Sequence, residues 1–100
     1  MNRLNETLTL CMRAGKLQYG LGTVSFLAKQ KQGDLFLYAK DISEKSKKEL
    51  LFLAQNHQIR CEELPYTMDE LWFLLGKRTG VLLVTQAQFT NKIISLLSLH

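Results

Sequence analysis

The sequence predicts an α/β domain in which a sheet of about four strands lies between layers of helices, in the order αβαβαβαβα. Three observations predict it. Segments with apolar residues at helical spacing alternate with short extended runs along the whole chain. Two of those runs, Leu35 to Ala39 and Val81 to Val84, are apolar without alternation, as expected of strands covered on both faces. Glycines or capping side chains stand at the junctions, and connections between parallel neighbours should cross over with the right-handed sense.

Leu4, Leu8 and Cys11/Met12 share one face of a first helix, about Asn2 to Ala14, and Gly15 follows where a left-handed residue would end it. A brief strand, Leu17 to Tyr19, meets the turn Gly20-Leu21-Gly22-Thr23. Val24, Leu27, Ala28 and Lys31 then mark a second helix, stopped at Gly33. After the buried strand at Leu35 to Ala39, Asp41 to Ser43 offers capping side chains to a third helix. Its Leu50, Leu53, Ala54 and His57 point inward, while Lys45, Lys48, Glu49 and Gln55 face out. Ile59 to Leu64 alternates in part, as a half-exposed edge strand does, and Pro65 ends it. Thr67-x-x-Glu70 forms a capping box with Tyr66 and Leu71 as a hydrophobic staple, opening a fourth helix that runs through Leu75 and closes at Gly76. After Val81 to Val84, Thr85-x-x-Gln88 caps a last helix that turns Phe89, Ile93 and Leu97 inward.

Residues 1–100 read as one domain, without a linker, repeat or low-complexity tract. At 46% hydrophobic and 22% charged residues, the chain is too apolar for intrinsic disorder and can bury a core without staples. The longest apolar runs are five residues, Leu35 to Ala39, Leu50 to Ala54 and Leu71 to Leu75, so no membrane span is expected. No secretory core can be drawn near Leu8 to Met12, and the expected location is cytoplasmic. Cys11 and Cys61 lie outside any metal-ligand or redox spacing and read as buried reduced thiols. Thirteen Lys and Arg against nine Asp and Glu leave a net charge of +4, which favours an anionic partner if the charge gathers on one face.

Gly20-Leu21-Gly22 between a strand and a helix resembles the start of a phosphate-binding turn, with Asp41 standing 19 residues past Gly22 where a dinucleotide fold places a ribose-binding acid. Ser25 occupies the third glycine position, however, and four strands make a small frame for a cofactor crevice, so no cofactor is expected. No P-loop pattern occurs. His57 belongs to the apolar face of its helix, and the pairs Glu62-Glu63 and Asp69-Glu70 read as a solvated strand edge and a helix first turn. No catalytic set, metal site or small-molecule substrate emerges from these residues.

Nucleic acid suits the loops better. Backbone N–H groups at a glycine-rich helix start can donate to phosphate. Lys16 precedes the glycine turn, and Lys29 lies seven residues beyond Gly22 on the same helical face. Lys40 ends the second strand, and Lys77-Arg78 occupy a loop bounded by Gly76 and Gly80. These groups are expected to share one edge. Lys45, Lys47 and Lys48, interleaved with Glu44 and Glu49, read as a solvated helix face.

The order of elements and loops resembles the ribosomal L-seven-Ae/L-thirty-e superfamily of kink-turn RNA-binding proteins, in its small bacterial YlxQ-type branch. The resemblance rests on Arg13-Ala14-Gly15-Lys16-Leu17, on Leu35 to Asp41 followed by Ile42-Ser43, on Leu75-Gly76-Lys77-Arg78, and on Val84-Thr85 leading to Phe89-Thr90-Asn91-Lys92-Ile93. It implies a three-layer α/β/α sandwich with a mixed four-stranded sheet, no catalytic activity, and binding of a sharply bent structured RNA, ribosomal or otherwise. By position, the implied contacts fall on Gly20, Gly22, Thr23 and Phe26, on Lys40-Asp41-Ile42, and on Lys77, Arg78, Thr79 and Gly80. Where kink-turn binders carry Asn-Glu and Lys, this chain carries Gly22-Thr23 and Phe26. The side chains that read base edges are absent, leaving backbone and lysine contacts. The alternative is a protein-interaction module that keeps the fold and uses an exposed Leu21/Phe26 surface.

Overall fold

The computed structural model describes residues 2–99, which form five helices and four strands in the predicted order. The elements are α1 (Arg3–Arg13), β1 (Leu17–Tyr19), α2 (Leu21–Lys29), β2 (Leu35–Tyr38), α3 (Glu44–His57), β3 (Arg60–Glu63), α4 (Met68–Leu75), β4 (Val81–Val84) and α5 (Ala87–Leu97). The sheet is mixed, in the order β1-β4-β2-β3. β4 runs antiparallel to both neighbours, while β2 and β3 are parallel and joined across α3.

The two central strands divide the core by their own alternation. Leu35 and Leu37 of β2, with Leu82 and Val84 of β4, pack against Leu4, Leu8 and Cys11 of α1, Leu71 and Leu75 of α4, and Ile93 and Leu96 of α5. Phe36, Val81 and Leu83 face the other way, onto Val24 and Ala28 of α2 and Leu50 and Ala54 of α3. Three helices therefore cover one face and two the other, the three-layer sandwich that the apolar central strands require. No helix among the described residues is long and apolar enough to cross a membrane.

Several junctions differ from the sequence expectation. α2 starts at Leu21, so Gly20 is its N-cap at φ 90° and Gly22 already lies in the first turn. The same helix ends at Lys29, where Lys31 turns into the left-handed region at φ 58°. Gly33 serves packing instead: a Cβ there would stand 2.7 Å from Leu83 Cδ1. Thr85 does not cap α5, whose N-cap is Gln86 without a side-chain bond. The Thr85 hydroxyl and amide instead donate to the Lys16 carbonyl at 3.3 and 2.9 Å, tying the start of β1 to the end of β4. Cys11 is buried as expected, but Cys61 is only half-buried, because its strand lies at the sheet edge. Burial pushes the Cys11 thiol up to about 12; at Cys61, burial and then the nearby Glu62 raise the thiol to about 11.

Candidate nucleic-acid interface

Strand direction assembles the candidate site. Because β4 is antiparallel to β1 and β2, its first residues pair with the last residues of both: Tyr19 with Leu82, and Tyr38 with Val81. The loops leaving β1 and β2 therefore meet the loop entering β4 at one end of the sheet. Gly20 N–H donates to the Val81 carbonyl at 3.1 Å, and Ala39 N–H donates to Gly80 at 2.9 Å. Between the loops lies a cleft of about 290 Å³ lined by Gly20, Leu21, Ile42, Met68, Thr79 and Gly80.

Three helix N-termini reach this end, and they are finished differently. Ser43 caps α3 by accepting from Ser46 N–H at 3.1 Å. At α4, Thr67 accepts from Glu70 N–H at 3.1 Å, and Glu70 returns the bond from Thr67 N–H at 2.9 Å. Asp41, expected to cap α3 or face a ligand, instead accepts from Met68 N–H at 2.9 Å and completes the α4 cap. The bond from Thr67 N–H holds the Glu70 carboxyl below its ordinary pKa. The start of α2 has no side-chain cap at all. Gly22 and Thr23 are exposed there, and a Cβ at Gly22 would meet nothing within 4 Å. First-turn N–H groups open to the exterior can donate to an anion.

The basic residues separate into two groups. Lys40, Lys77 and Arg78 are exposed at the loop end. Lys77 extends its ammonium over the Tyr19 ring, 5.6 Å from the centroid, so the β4 loop reaches back across β1. Arg78 pairs with Asp69 at 3.1 Å, with both side chains largely exposed. An ion pair of this kind is worth about 0–1 kcal/mol and exchanges readily for a phosphate. Lys16 and Lys29 do not join them, contrary to the single edge expected from sequence. Lys16 precedes β1 and so lies at the opposite end of the sheet, beside Thr85. Lys29 ends α2, about 10 Å along the axis from Gly22 at 1.5 Å per residue.

Other expected contacts are held by the protein itself. Thr79 is buried, and its hydroxyl donates to the Val81 carbonyl at 3.0 Å, so this residue presents no side chain to a ligand. Ile42 is half-buried against the α1 side of the core. Gly80 is needed because a Cβ would fall 2.4 Å from Ile42 Cγ2 and 3.1 Å from Met68 Sδ. Leu21, the first residue of α2, is half-buried against the core on the α2 and α3 side, leaving Phe26, at 62% exposed, as the apolar group of the expected Leu21/Phe26 surface. Tyr19, Met68 and Asp69 belong to the site but carry no local signal, since each acts through a partner distant in sequence. Among the described residues, no group of three His, Cys, Asp or Glu side chains could hold a metal ion.

No family model matches the chain, and no curated protein matches it either. Its fold recurs among solved structures, with 247 matching chains, so likeness here identifies an architecture that can host many activities. One of them, a protein with unknown function from Bacillus halodurans C, is 25% identical, with 98% of this chain and 99% of that chain covered at a TM-score of 0.90.

Proposed function

We propose that the chain is a non-enzymatic RNA-binding protein of the kink-turn-binding type, acting in the cytoplasm and engaging a bent, structured RNA with the loop end of its sheet. The observation that carries this reading is the side-chain-free N-terminus of α2, set in the same loop cluster as the exposed cations Lys40, Lys77 and Arg78. Its backbone N–H groups would receive a phosphate of the bend, and the cations would track the flanking strands. Gly22, Thr23 and Phe26 give this surface one hydroxyl in place of a set of base-reading side chains, so affinity would come mainly from the backbone of the RNA.

Filter binding across a salt series, with a kink-turn RNA and a straight duplex of equal length, tests the proposal. The kink-turn should bind more tightly. The double variant Lys77→Ala/Arg78→Ala should flatten the salt dependence by up to about 0.9 per lost contact. No binding of either RNA at about 50 mM salt, where phosphate contacts are strong, would overturn it. That outcome would favour a second reading, a protein-interaction module, for which the specific observation is Phe73 on α4, 96% exposed and next in sequence to the exposed Trp72.

A further inference from the structure

A second hollow, of about 580 Å³, lies along α2 away from the loop cluster, and its walls combine one aromatic plane with several hydrogen-bonding groups. Thr23 and Phe26 stand one turn apart on the exposed side of α2. The same hollow is lined by Gln18 of β1 and by the segment Gln32 to Asp34, which the left-handed Lys31 turns back so that Gln32 N–H donates to the Leu27 carbonyl at 2.9 Å. Asp34 is fixed in place by its own N–H, which donates to the Val84 carbonyl at 2.8 Å. Gln18 donates its amide to the Gly15 carbonyl at 3.3 Å, which leaves its oxygen available. Among the described residues, the side chains of Thr23, Gln32 and Asp34 make no hydrogen bond within the protein. An exposed aromatic ring beside open donors and acceptors suits a flat, polar-edged heterocycle better than an aliphatic side chain.

We propose that this hollow takes one unpaired guanine base, stacked on Phe26 with its edge toward Asp34. The carboxylate offers two adjacent acceptors, which match the N1–H and exocyclic N2–H donors of guanine; the other three bases lack that pair of donors. Gln32 can donate to O6 through its amide, and Lys31 adds a cation at the rim. Phe26 follows Gly22 by four residues, about 6 Å along the helix axis, which is close to the reach of one nucleotide from a phosphate held at the α2 N-terminus. The inference rests on the RNA-binding reading for the source of the base; the hollow shares no lining residue with the cleft between the loops, and Thr23 and Phe26 link it to the α2 start.

The test is titration of the full-length, isotope-labelled protein with the four nucleoside 5′-monophosphates, followed by NMR, since all four share the sugar and phosphate. GMP should move the side-chain amide signals of Gln18 and Gln32 and the backbone signal of Thr23, and should bind more tightly than the other three. Phe26→Ala should weaken GMP binding by about tenfold, in line with loss of one stacked base. Asp34→Asn should remove the preference for guanine while retaining stacking. Both side chains are exposed, and the spectra of the variants report directly whether the fold is kept. A single-stranded trinucleotide with a central guanine should bind more tightly than GMP, and equal binding would overturn RNA as the source of the base. Absence of shifts at the hollow would overturn the base site even where the kink-turn RNA binds the loop end; shifts at the hollow without kink-turn binding would overturn the RNA reading and leave the guanine site standing.

Discussion

The starts of α2 and α4 lie at the same end of one sheet, yet they are built in opposite ways. At α4, Thr67, Glu70 and Asp41 each accept a first-turn or capping N–H, and Tyr66 bonds its hydroxyl to Asn5 of α1, so the helix entrance is anchored from three directions. The α2 start has a glycine N-cap, a glycine in its first turn and no side-chain acceptor. Glycine contrasts in the same way. Gly80, under α4, is enclosed by Ile42 and Met68, whereas Gly22 faces open space. The lack of a cap at α2 is therefore a local property and not a looseness of the whole end. Stability is invested at α4, and unmet donors are concentrated at α2.

The strongest way to break this contrast is to place the same methyl group at both glycines. Gly80→Ala should destabilise the protein by about 1–3 kcal/mol, because the β-branched Ile42 has little rotamer freedom to move aside. Thermal and urea denaturation measure this, and an unchanged midpoint would mean that the loop end is not closely packed. Thr67→Ala comes next: it removes half of the capping box and should cost about 1 kcal/mol in the same measurement. Gly22→Ala should instead raise stability by about 0.5 kcal/mol, since Ala is the better helix former and meets no obstacle. A loss comparable to that at Gly80 would show that the α2 start is as constrained as the α4 start. In the RNA assay, Gly22→Val should weaken binding while the cooperative unfolding transition persists.

The smallest expected effect is the pH response of Glu70. Its folded pKa is depressed below the ordinary 4.5, chiefly by the bond from Thr67 N–H. Its contribution to stability is therefore present above the unfolded value and is lost as pH falls through the folded value. Glu70→Gln should flatten the acid side of the stability profile and leave the neutral range nearly unchanged. NMR titration of the Glu70 carboxyl gives the independent check, and a midpoint at or above the ordinary value would remove the capping bond from the account. No corresponding acid response is expected from α2, where no carboxylate caps the helix.

Much of the fold was legible because it rests on local rules. Alternating helix and strand periods yielded the element order, and the unbroken apolar runs at β2 and β4 marked the two central strands. Thr67 and Glu70 announced their capping box by spacing alone, since both partners sit within one helical turn. The same rule misled at Thr85, whose hydroxyl finds the Lys16 carbonyl 69 residues away. At Asp41, the expected cap served another helix, because Met68 N–H is brought to it only by folding. The candidate site was legible in its loops but not in its membership. The sequence could nominate Gly20 to Thr23, Lys40 and Lys77-Arg78, as well as Lys16 and Lys29, from charge and glycine content.

Sequence by itself determined the elements, the apolar faces and the glycine turn, because these follow from the spacing of neighbours along the chain. Tertiary structure alone decided strand direction, and with it which loops meet. The antiparallel run of β4 brings its entry loop to the exits of β1 and β2, and the same geometry sends Lys16 to the far end. Strand polarity depends on contacts between segments tens of residues apart, so no local pattern of residues encodes it.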